Sequence, residues 1–418
     1  MSEATHREDE FVAHVSELAR EATGPLKGVR ICDLTSVVFG SYATQMLGDL
    51  GAEVIKVEFP GGRRGGGGDI MRWSGRTPEG ASPDLGPIYM TINRNKRSVL
   101  LDLREEKSAL ALRRLIATCD VFAASVRYQG LKRLGLDYEG VSAVRPDIVY
   151  CHGAGYGAAG PYAGEPAYDD LIQATSGLAD LLPRTDGDPR PRYLPTLAAD
   201  KVAGLFMCQA ITAALFHRQR TGEGQFVEVP MLECLASFNL VENLFGHAFE
   251  PPTGQWAYTR SANPNRKPFQ TSDGYIGLLP YTDQQWDEFF RVAGWAETVG
   301  ADPRFSDFRT RAQHVGELYG LVEEVTRTRT TDEWLALLKP LNIPVVRMNR
   351  FDDLMDDPHL KAVGLFQHYV HPDAGAYVGL RPPVTYSKTP ANVRRHPPRL
   401  GQDTDDVLAE LELRGSAE

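Results

Sequence analysis

Two acidic stretches in the middle of the chain carry the residues best suited to chemistry. Asp200 stands in "PTLAADKVAG", where an extended segment gives way to a helical pattern, and Asp169 stands in "AYDDLIQATSG". A carboxylate is a nucleophile that can itself become an acyl group, which suits acyl transfer. An aspartate at a helix start is also an ordinary cap worth about 1 kcal/mol, so the position alone leaves both roles open. The dipole of a helix N-terminus predicts a lowered pKa and an ionised Asp200.

A glycine-rich loop precedes these aspartates. Residues 153–160, "GAGYGAAG", contain the G-x-G-x-x-G spacing of a dinucleotide-binding turn. Such a turn must open a helix, and Pro161 and Pro166 prevent one from continuing here. The acidic residue expected about 20 positions further on is also missing. We therefore disfavour a dinucleotide oxidoreductase and interpret the segment as a loop that lets backbone approach a ligand closely.

Other catalytic groups find less support. The chain has no G-x-S-x-G elbow and no H-E-x-x-H spacing, so neither a serine hydrolase nor a metal site is predicted. Cys151 and His152 are neighbours in a predicted strand, which sends their side chains to opposite faces. The cysteines lack C-x-x-C spacing, which predicts reduced, buried thiols in a cytosolic protein. They are Cys32, Cys119, Cys151, Cys208 and Cys234.

Basic residues form two clusters near predicted strand ends. Arg63–Arg64 and Arg72 surround a run of glycines, and Lys96 lies in "NRNKRS". Such clusters are often solvated surface. Arginines in glycine-rich loops at the carboxyl ends of parallel strands also bind phosphorylated ligands. Arg72 and Lys96 are accordingly candidate cofactor contacts.

The elements that position these residues are predicted from apolar periodicity. Short apolar runs alternate with helical patterns in the first half, which predicts a doubly wound parallel α/β sheet. Long helices over Val202–Arg218 and Leu232–Phe249 are predicted to connect domains. The predicted strands are Val29–Leu34, Glu53–Glu58, Ser98–Leu103, Asp120–Ala124 and Asp147–Cys151.

Length and changes of pattern predict more than one domain, since 418 residues exceed what one core usually organises. We predict a large Rossmann-like domain from residues 1–225, a connecting helix at 226–250 and a small α+β domain at 251–335. Residues 336–418 form a linker and return to the large domain. A further helix over residues 8–21 would be an N-terminal arm.

Composition limits the partners. A formal net charge of -10 disfavours a nucleic-acid binder, whose footprint would be basic. No run of 18 or more apolar residues is present, so no membrane span is expected. The first ten residues lack an apolar core, so we expect no secretion signal and a cytoplasmic location.

Taken together, these segments resemble the class III CoA-transferase family, which includes formyl-CoA transferase, carnitine CoA-transferase and α-methylacyl-CoA racemase. The matching stretches follow one another in family order from residue 26 to near the C-terminus. They are "LKGVRICDLTSVVFGSYATQMLGDLGAEVIKVE", "GDIMR", "NRNKRSVLLDL", "LKRLGLDYEGV", "DIVYCHGAGYG", "AYDDLIQATSG", "PTLAADKVAG", "RTGEGQFVEVPM" and "PRLGQDTDDVLAELEL".

The resemblance implies a fold, a partner and a set of roles. Asp200 matches the family's catalytic aspartate. The family forms homodimers of interlocked chains, with a Rossmann-like domain built from both chain ends. The implied contacts of coenzyme A are Val37, Val38, Phe39, Arg104, Ser125, Val126, Arg133, Tyr168 and Met231.

Several residues differ from the family pattern, and these differences argue against some of the family's activities. Val38 stands where formyl-CoA transferase has glutamine and Phe59 where it has arginine, which disfavours a formyl/oxalate pair. The family's "N-F-R-P-G" stretch reads "SVRYQG" here. The racemases have Gly-His-Asp where this chain has Ala167–Asp169, and the missing histidine counts against an epimerase, although Asp169 remains as a second catalytic candidate.

The expected activity is transfer of CoA between two carboxylic acids through an anhydride and a CoA thioester of Asp200. Backbone N–H groups of Gly153, Gly155 and Gly157 are candidate oxyanion donors. A racemase-like epimerase and a non-catalytic CoA-binding protein remain alternatives.

The stretch "WAYTRSANPNRKPFQTSDG" of the predicted small domain is rich in cations. Arg260, Arg266 or Lys267 is a candidate for binding a second carboxylate of a dicarboxylic donor or acceptor. A solvated loop is the alternative.

Overall fold

The computed structural model describes residues 16–61 and 66–415. Most of the predicted helix over residues 8–21 lies outside this range, and residues 16–21 are not helical. Arg63 and Arg64 also lie outside the described residues.

Eleven strands are assigned in the described residues, and the first five of them agree with the predicted alternation, with ends shifted by a few residues. They are β1 Arg30–Leu34, β2 Glu53–Glu58, β3 Lys96–Leu100, β4 Val121–Ala124, β5 Val149–Ala154, β6 Gln225–Pro230, β7 Phe269–Gln270, β8 Tyr275–Leu278, β9 Val345–Arg347, β10 Phe366–His371 and β11 Gly375–Leu380.

The helices join and cover these strands. They are α1 Phe39–Asp49, α2 Pro87–Ile92, α3 Glu106–Ala117, α4 Tyr128–Arg133, α5 Tyr138–Val144, α6 Asp169–Thr175, α7 Pro183–Asp186, α8 Ala198–Thr221, α9 Met231–Asn243, α10 Asp283–Ala293, α11 Phe308–Gln313, α12 Val315–Thr326, α13 Thr331–Leu338, α14 Pro358–Ala362 and α15 Thr404–Gly415.

Six strands of the described chain form a parallel sheet in the order β3-β2-β1-β4-β5-β6. Cys32 of β1 is paired with Ile55 on one side and with Phe122 on the other, so the chain order reverses between β1 and β4. The predicted parallel α/β sheet is thereby confirmed. Because parallel strands end at one edge, the segments after β1, β4, β5 and β6 meet there, and such a switch point is where open α/β sheets bind ligands.

Side chains alternate across this sheet. Cys32, Phe122 and Tyr150 face a core that they share with residues of α3, α5 and α15. The opposite face carries α1 and α8, which pack against each other. The loops at the carboxyl edge therefore start from buried, well-anchored strands.

Contacts divide the described residues into two compact units. The first contains those up to Ser176, then Leu194–Phe238 and those from Pro358 onward, and it includes the parallel sheet. The second contains Gly177–Tyr193 and Asn239–Asp357.

The second unit is built on an antiparallel sheet of β7, β8 and β9. Trp286, Phe289 and Trp334 are buried in its core. Ile276 of β8 is paired with Arg347 of β9. Strand β9 thus belongs to this sheet, whereas the sequence assigned residues from 336 onward to the linker.

Helix α8 bears on the expectation of no membrane span, which stays a prediction. It is long and apolar enough to cross a membrane by length and composition, and 39% of the relevant stretch is buried within the protein. The core helix of a globular protein meets the same test, and buried residues such as Met207 and Ile211 place one side of α8 in the first unit.

Candidate active site

Helix α8 places Asp200 in its first turn. The helix begins at Ala198, and Leu197 at the N-cap position offers no side-chain acceptor to the free backbone N–H groups. One turn further, Gly204 lies so close to α1 that an added Cβ would stand 2.9 Å from the carbonyl oxygen of Phe39. The glycine lets the start of α8 pack against the start of α1, at the carboxyl edge of the sheet.

The missing cap of α8 is supplied by another helix. Asp169 is the first residue of α6, and its Oδ1 accepts a hydrogen bond from the backbone N–H of Asp200 at 3.0 Å. Both side chains are nearly buried, with 5% of Asp169 and 6% of Asp200 exposed. The structure therefore brings together the two aspartates that the sequence proposed as catalytic.

Gln173 is a residue of this cluster that the sequence analysis missed. Its Nε2 donates to Oδ2 of Asp169 at 2.6 Å and to the carbonyl of Thr196 at 3.1 Å, while its Oε1 accepts from the N–H of Leu194 at 2.9 Å. Gln173 thus ties α6 to the segment that leads into α8. The signal was present, since residues four apart on a helix are neighbours. Because both oxygens of Asp169 accept hydrogen bonds, its geometry suits a positioning role better than that of a free base.

The electrostatics of Asp200 differ from the prediction. Burial, and then the nearby charge of Asp169, raise the pKa of Asp200 to about 7. Among the described residues no hydrogen bond to the Asp200 carboxylate is found. The sequence predicted that the helix dipole would lower the pKa of Asp200, and this prediction was wrong. The loss of water around the carboxylate and the charge of Asp169 outweigh the dipole.

Gly153 near the end of β5 and Gly155 in the loop after it leave no room for a side chain. An added Cβ on Gly153 would lie 2.7 Å from the Phe39 ring, and one on Gly155 would lie 2.1 Å from the Cβ of Ala167. The N–H of Gly157 donates to Oε1 of Glu233 at 2.9 Å. Gly157 is therefore occupied, which corrects its assignment as an oxyanion donor; for Gly153 and Gly155 that role stays a prediction.

The loop after β1 has a constrained backbone. Val37 has a φ of 63°, in the left-handed region that branched residues avoid, and Oδ1 of Asp69 accepts its N–H at 3.1 Å. Val38 and Phe39 are buried beside it. An unfavourable backbone held in place by a buried carboxylate is typical of functional loops.

The segment after β4 meets this loop across the switch point. Oγ of Ser125 accepts the N–H of Ser36 at 3.1 Å, and the carbonyl of Val126 accepts Nε2 of His152 at 3.0 Å. Ser125 thus contacts the β1 loop, Val126 contacts the end of β5, and their role as CoA contacts stays a prediction.

The remaining predicted CoA contacts differ in exposure. Tyr168 is 67% exposed directly before Asp169, whereas Met231 is buried where α9 begins. The Arg104 side chain is exposed and pairs with Asp102, and the exposed Arg133 donates to the carbonyl of Gln129.

Arg72 and Lys96 are placed inside the unit. Nη2 of Arg72 lies 2.5 Å from Oε1 of Glu58, and Nζ of Lys96 lies 3.2 Å from Oδ2 of Asp33. Both basic side chains are buried. Because their donors are occupied by protein acceptors, this placement argues for a role in holding the loops rather than in binding phosphate.

The candidate substrate residues Arg260, Arg266 and Lys267 belong to the second unit, where they line a cavity. No group of three or more His, Cys, Asp or Glu that could hold a metal is found among the described residues. All the cysteines are free, and Cys208 is half-buried while the others are buried.

Comparisons with known proteins identify the family of the chain. The profile of CoA-transferase family III matches residues 26–404. A succinate–glutarate CoA-transferase of Agrobacterium fabrum is 32% identical over 93% of this chain and 96% of its own. A succinyl-CoA:glutarate CoA-transferase of Mus musculus is 33% identical over 93% of this chain and 86% of its own. The crystal structure of a CaiB/BaiF family protein from Brucella suis has a TM-score of 0.76 and 31% identity, covering 93% of this chain and all of that one.

These matches extend along nearly the whole chain, as the sequence resemblance did. The chain belongs to CoA-transferase family III and is a CoA-transferase. Enzymes of this kind use CoA thioesters and carboxylic acids as substrates, so the aspartate pair at the carboxyl edge is the first place to look for their chemistry.

Proposed function

We propose that the protein transfers CoA between two carboxylic acids through covalent intermediates on Asp200. A carboxylate oxygen of Asp200 attacks the thioester carbonyl of the donor, the C–S bond breaks, and CoA leaves as a thiolate. The thiolate then attacks the aspartyl carbonyl of the mixed anhydride, which releases the donor acid and leaves an aspartyl-CoA thioester. The acceptor acid repeats both steps in reverse and frees the Asp200 carboxylate.

The observation that carries this proposal is the state of the Asp200 side chain. A carboxylate that is buried and without a hydrogen bond among the described residues is poorly solvated, and poor solvation makes its ionised form more reactive. Its pKa of about 7 leaves a substantial ionised fraction near neutral pH. A purely structural aspartate would be expected to bind a cation or several N–H groups.

Asp169 and Gln173 hold this nucleophile in place. The hydrogen bond from the N–H of Asp200 to Asp169 fixes the first turn of α8, and Gln173 fixes Asp169 in turn. The catalytic role assigned to Asp169 from sequence is therefore proposed as positioning and electrostatic.

The acyl-CoA is proposed to lie along the carboxyl edge of the sheet. The loops that hold Val37 and Ser125 form this edge, and the exposed ring of Tyr168 stands next to Asp169. The two curated relatives named above act on succinate and glutarate. We therefore propose a short dicarboxylate as donor or acceptor.

The homodimer implied by the family resemblance is also proposed. Leu205, Phe206 and Phe216 of α8 are exposed although they are large and apolar. Large apolar side chains exposed along one helix are consistent with burial at an interface between two copies of the chain. Light scattering should give twice the mass of the chain, and a monomer at micromolar concentration would contradict it.

The proposed reaction is tested by exchange of label. The protein is incubated with succinyl-CoA and isotope-labelled glutarate, and formation of labelled glutaryl-CoA is followed for the wild type and for Asp200→Asn. We expect a loss of at least about 1,000-fold, as for removal of other nucleophiles. The matched control is Asp170→Asn, an exposed neighbour on α6, which should keep its activity. Exchange by Asp200→Asn at the wild-type rate would refute the proposal.

A further inference from the structure

The second unit contains a cavity of about 730 Å³ between the segment 260–269 and the strands β8 and β9. Its volume lies within the range of small-molecule sites, roughly 300–1,000 Å³. All of its lining residues belong to the second unit, whereas Asp200 belongs to the first.

The charged residues that line the cavity are all basic. Arg260, Arg266, Lys267 and Lys339 contribute to the wall, and no aspartate or glutamate of the described residues does. Lys339 comes from the end of α13, more than 70 positions beyond the other three, so the fold and not the local sequence assembles this group.

The chain carries a formal net charge of -10, and several cations of the second unit have acidic partners. Elsewhere in the second unit Arg304 is paired with Asp302 and Glu317, and Arg347 with Asp332. Within the described residues none of the four cavity cations has a carboxylate within 4.0 Å. Arg260 is instead oriented by a hydrogen bond from its Nε to the hydroxyl of Tyr319, at 3.2 Å.

The floor of the cavity is apolar. Phe269, Ile343 and Val345 line it and are also buried members of the core of the second unit. A ligand that satisfies both parts of the cavity has anionic groups for the cations and a short aliphatic body for the floor.

We propose that this cavity binds a small aliphatic dicarboxylate. Two carboxylates neutralise four cations better than one does, because more of the unpaired guanidinium and ammonium groups gain a charged acceptor. The proposal concerns binding alone, and it stands or falls separately from acyl exchange on Asp200.

The test measures binding by titration calorimetry in full-length Asp200→Ala, which cannot exchange acyl groups under the proposed mechanism. The probes are glutarate, pentanoate as a monocarboxylate of the same chain length, and ADP as a phosphate ligand. We expect glutarate to bind, pentanoate to bind more weakly, and added sodium chloride to weaken glutarate binding.

Cavity variants locate the site. Arg266→Gln combined with Lys339→Gln should weaken glutarate binding by at least about tenfold, since two charged hydrogen-bond donors are lost. Both side chains are exposed, and thermal melts would verify that the variant folds. The matched control is Arg291→Gln, which removes an exposed charge paired with Glu288 elsewhere in the same unit.

Three results would overturn the proposal: unchanged glutarate affinity in the double variant, equal affinity for pentanoate and glutarate, or ADP displacing glutarate from the cavity. Loss of exchange activity in Asp200→Asn with no glutarate binding would leave the proposed reaction intact and reject the cavity. Glutarate binding together with wild-type exchange activity in Asp200→Asn would reject the proposed reaction and leave the cavity proposal intact.

Discussion

Two groups of buried carboxylates in the first unit have pKa values shifted in opposite directions. Beneath α1, Oδ2 of Asp33 lies 3.2 Å from Nζ of Lys96, and Oδ2 of Asp69 lies 3.0 Å from Nζ of Lys56. Burial opposes ionisation of these acids, yet the neighbouring ammonium groups hold the pKa of Asp33 and of Asp69 below its usual value. At the start of α8, Asp200 has a second carboxylate beside it and a raised pKa.

The difference separates two uses of a buried acid. A paired carboxylate fixes loops, as Asp69 does by accepting the N–H of Val37. An unpaired carboxylate is poorly solvated in its charged form. Its ionised state is therefore high in free energy, and a reaction that consumes the charge is favoured. Burial and residue type are the same in both places, so the partner decides the role.

Breaking another buried ion pair of the first unit, that of Arg72, should have the largest effect on folding. Arg72→Met leaves Glu58 and Asp84 without their shared cation, and removal of one partner from a buried pair costs about 3–5 kcal/mol. Urea unfolding measures the loss in free energy of unfolding. The folded fraction should keep the wild-type KM for acyl-CoA; a raised KM with unchanged stability would restore Arg72 as a cofactor contact.

Neutralising the unpaired group should stabilise the protein. The folded state retains a proton on Asp200 up to about pH 7, whereas an unfolded aspartate loses it near pH 4, so stability falls as pH rises between these values. Asp200→Asn removes this penalty, and its free energy of unfolding at pH 8 should exceed that of the wild type by about 2–4 kcal/mol. The gain should shrink towards pH 4. A variant less stable than the wild type at pH 8 would contradict this account, and Asp170→Asn serves as the control.

The pH dependence of exchange should report the same pair. The wild-type rate should rise with pH through about 7 as Asp200 ionises. In Asp169→Asn the neighbouring negative charge is gone, the pKa of Asp200 falls, and the acidic limb of the rate profile should move to lower pH. The asparagine oxygen still accepts the N–H of Asp200. An acidic limb of the rate profile at the wild-type pH, or at a higher pH, would show that Asp169 does not raise the pKa of Asp200.

A smaller effect is expected from the glycine loop. A methyl group in Gly155→Ala would press on Ala167 and displace the segment that leads into Asp169, so exchange should fall more than stability, which overpacking lowers by about 1–3 kcal/mol. Gly160→Ala is the matched control, since its added Cβ meets its nearest neighbour at 3.5 Å. Equal losses of activity in the two variants would remove Gly155 from the account.

Local pattern was sufficient to predict much of the sheet and the neighbourhood of Asp169 and Asp200. The strand over Glu53–Glu58 was predicted with its observed ends, because a short apolar run between turn signals is a local property. The pairing of side chains is not local. Asp33 and Lys96 are 63 positions apart, so sequence could not show that Lys96 is buried in an ion pair instead of facing a phosphate.

The same limit applies to the pKa of Asp200. The helix start was visible in the sequence, but the burial and the approach of Asp169 depend on how α6 packs against α8. The cavity of the second unit is a third example, since Lys339 joins Arg260 only in the folded chain.

The most direct test of the central claim is trapping of acyl-enzyme on the unpaired aspartate. The wild type is mixed with succinyl-CoA, quenched with hydroxylamine, digested and analysed by mass spectrometry. The account predicts a hydroxamate on Asp200 and none on Asp169 or Asp170, and its loss in Asp200→Asn. A hydroxamate on Asp169, or full exchange activity with Asp200 unmodified, would contradict it.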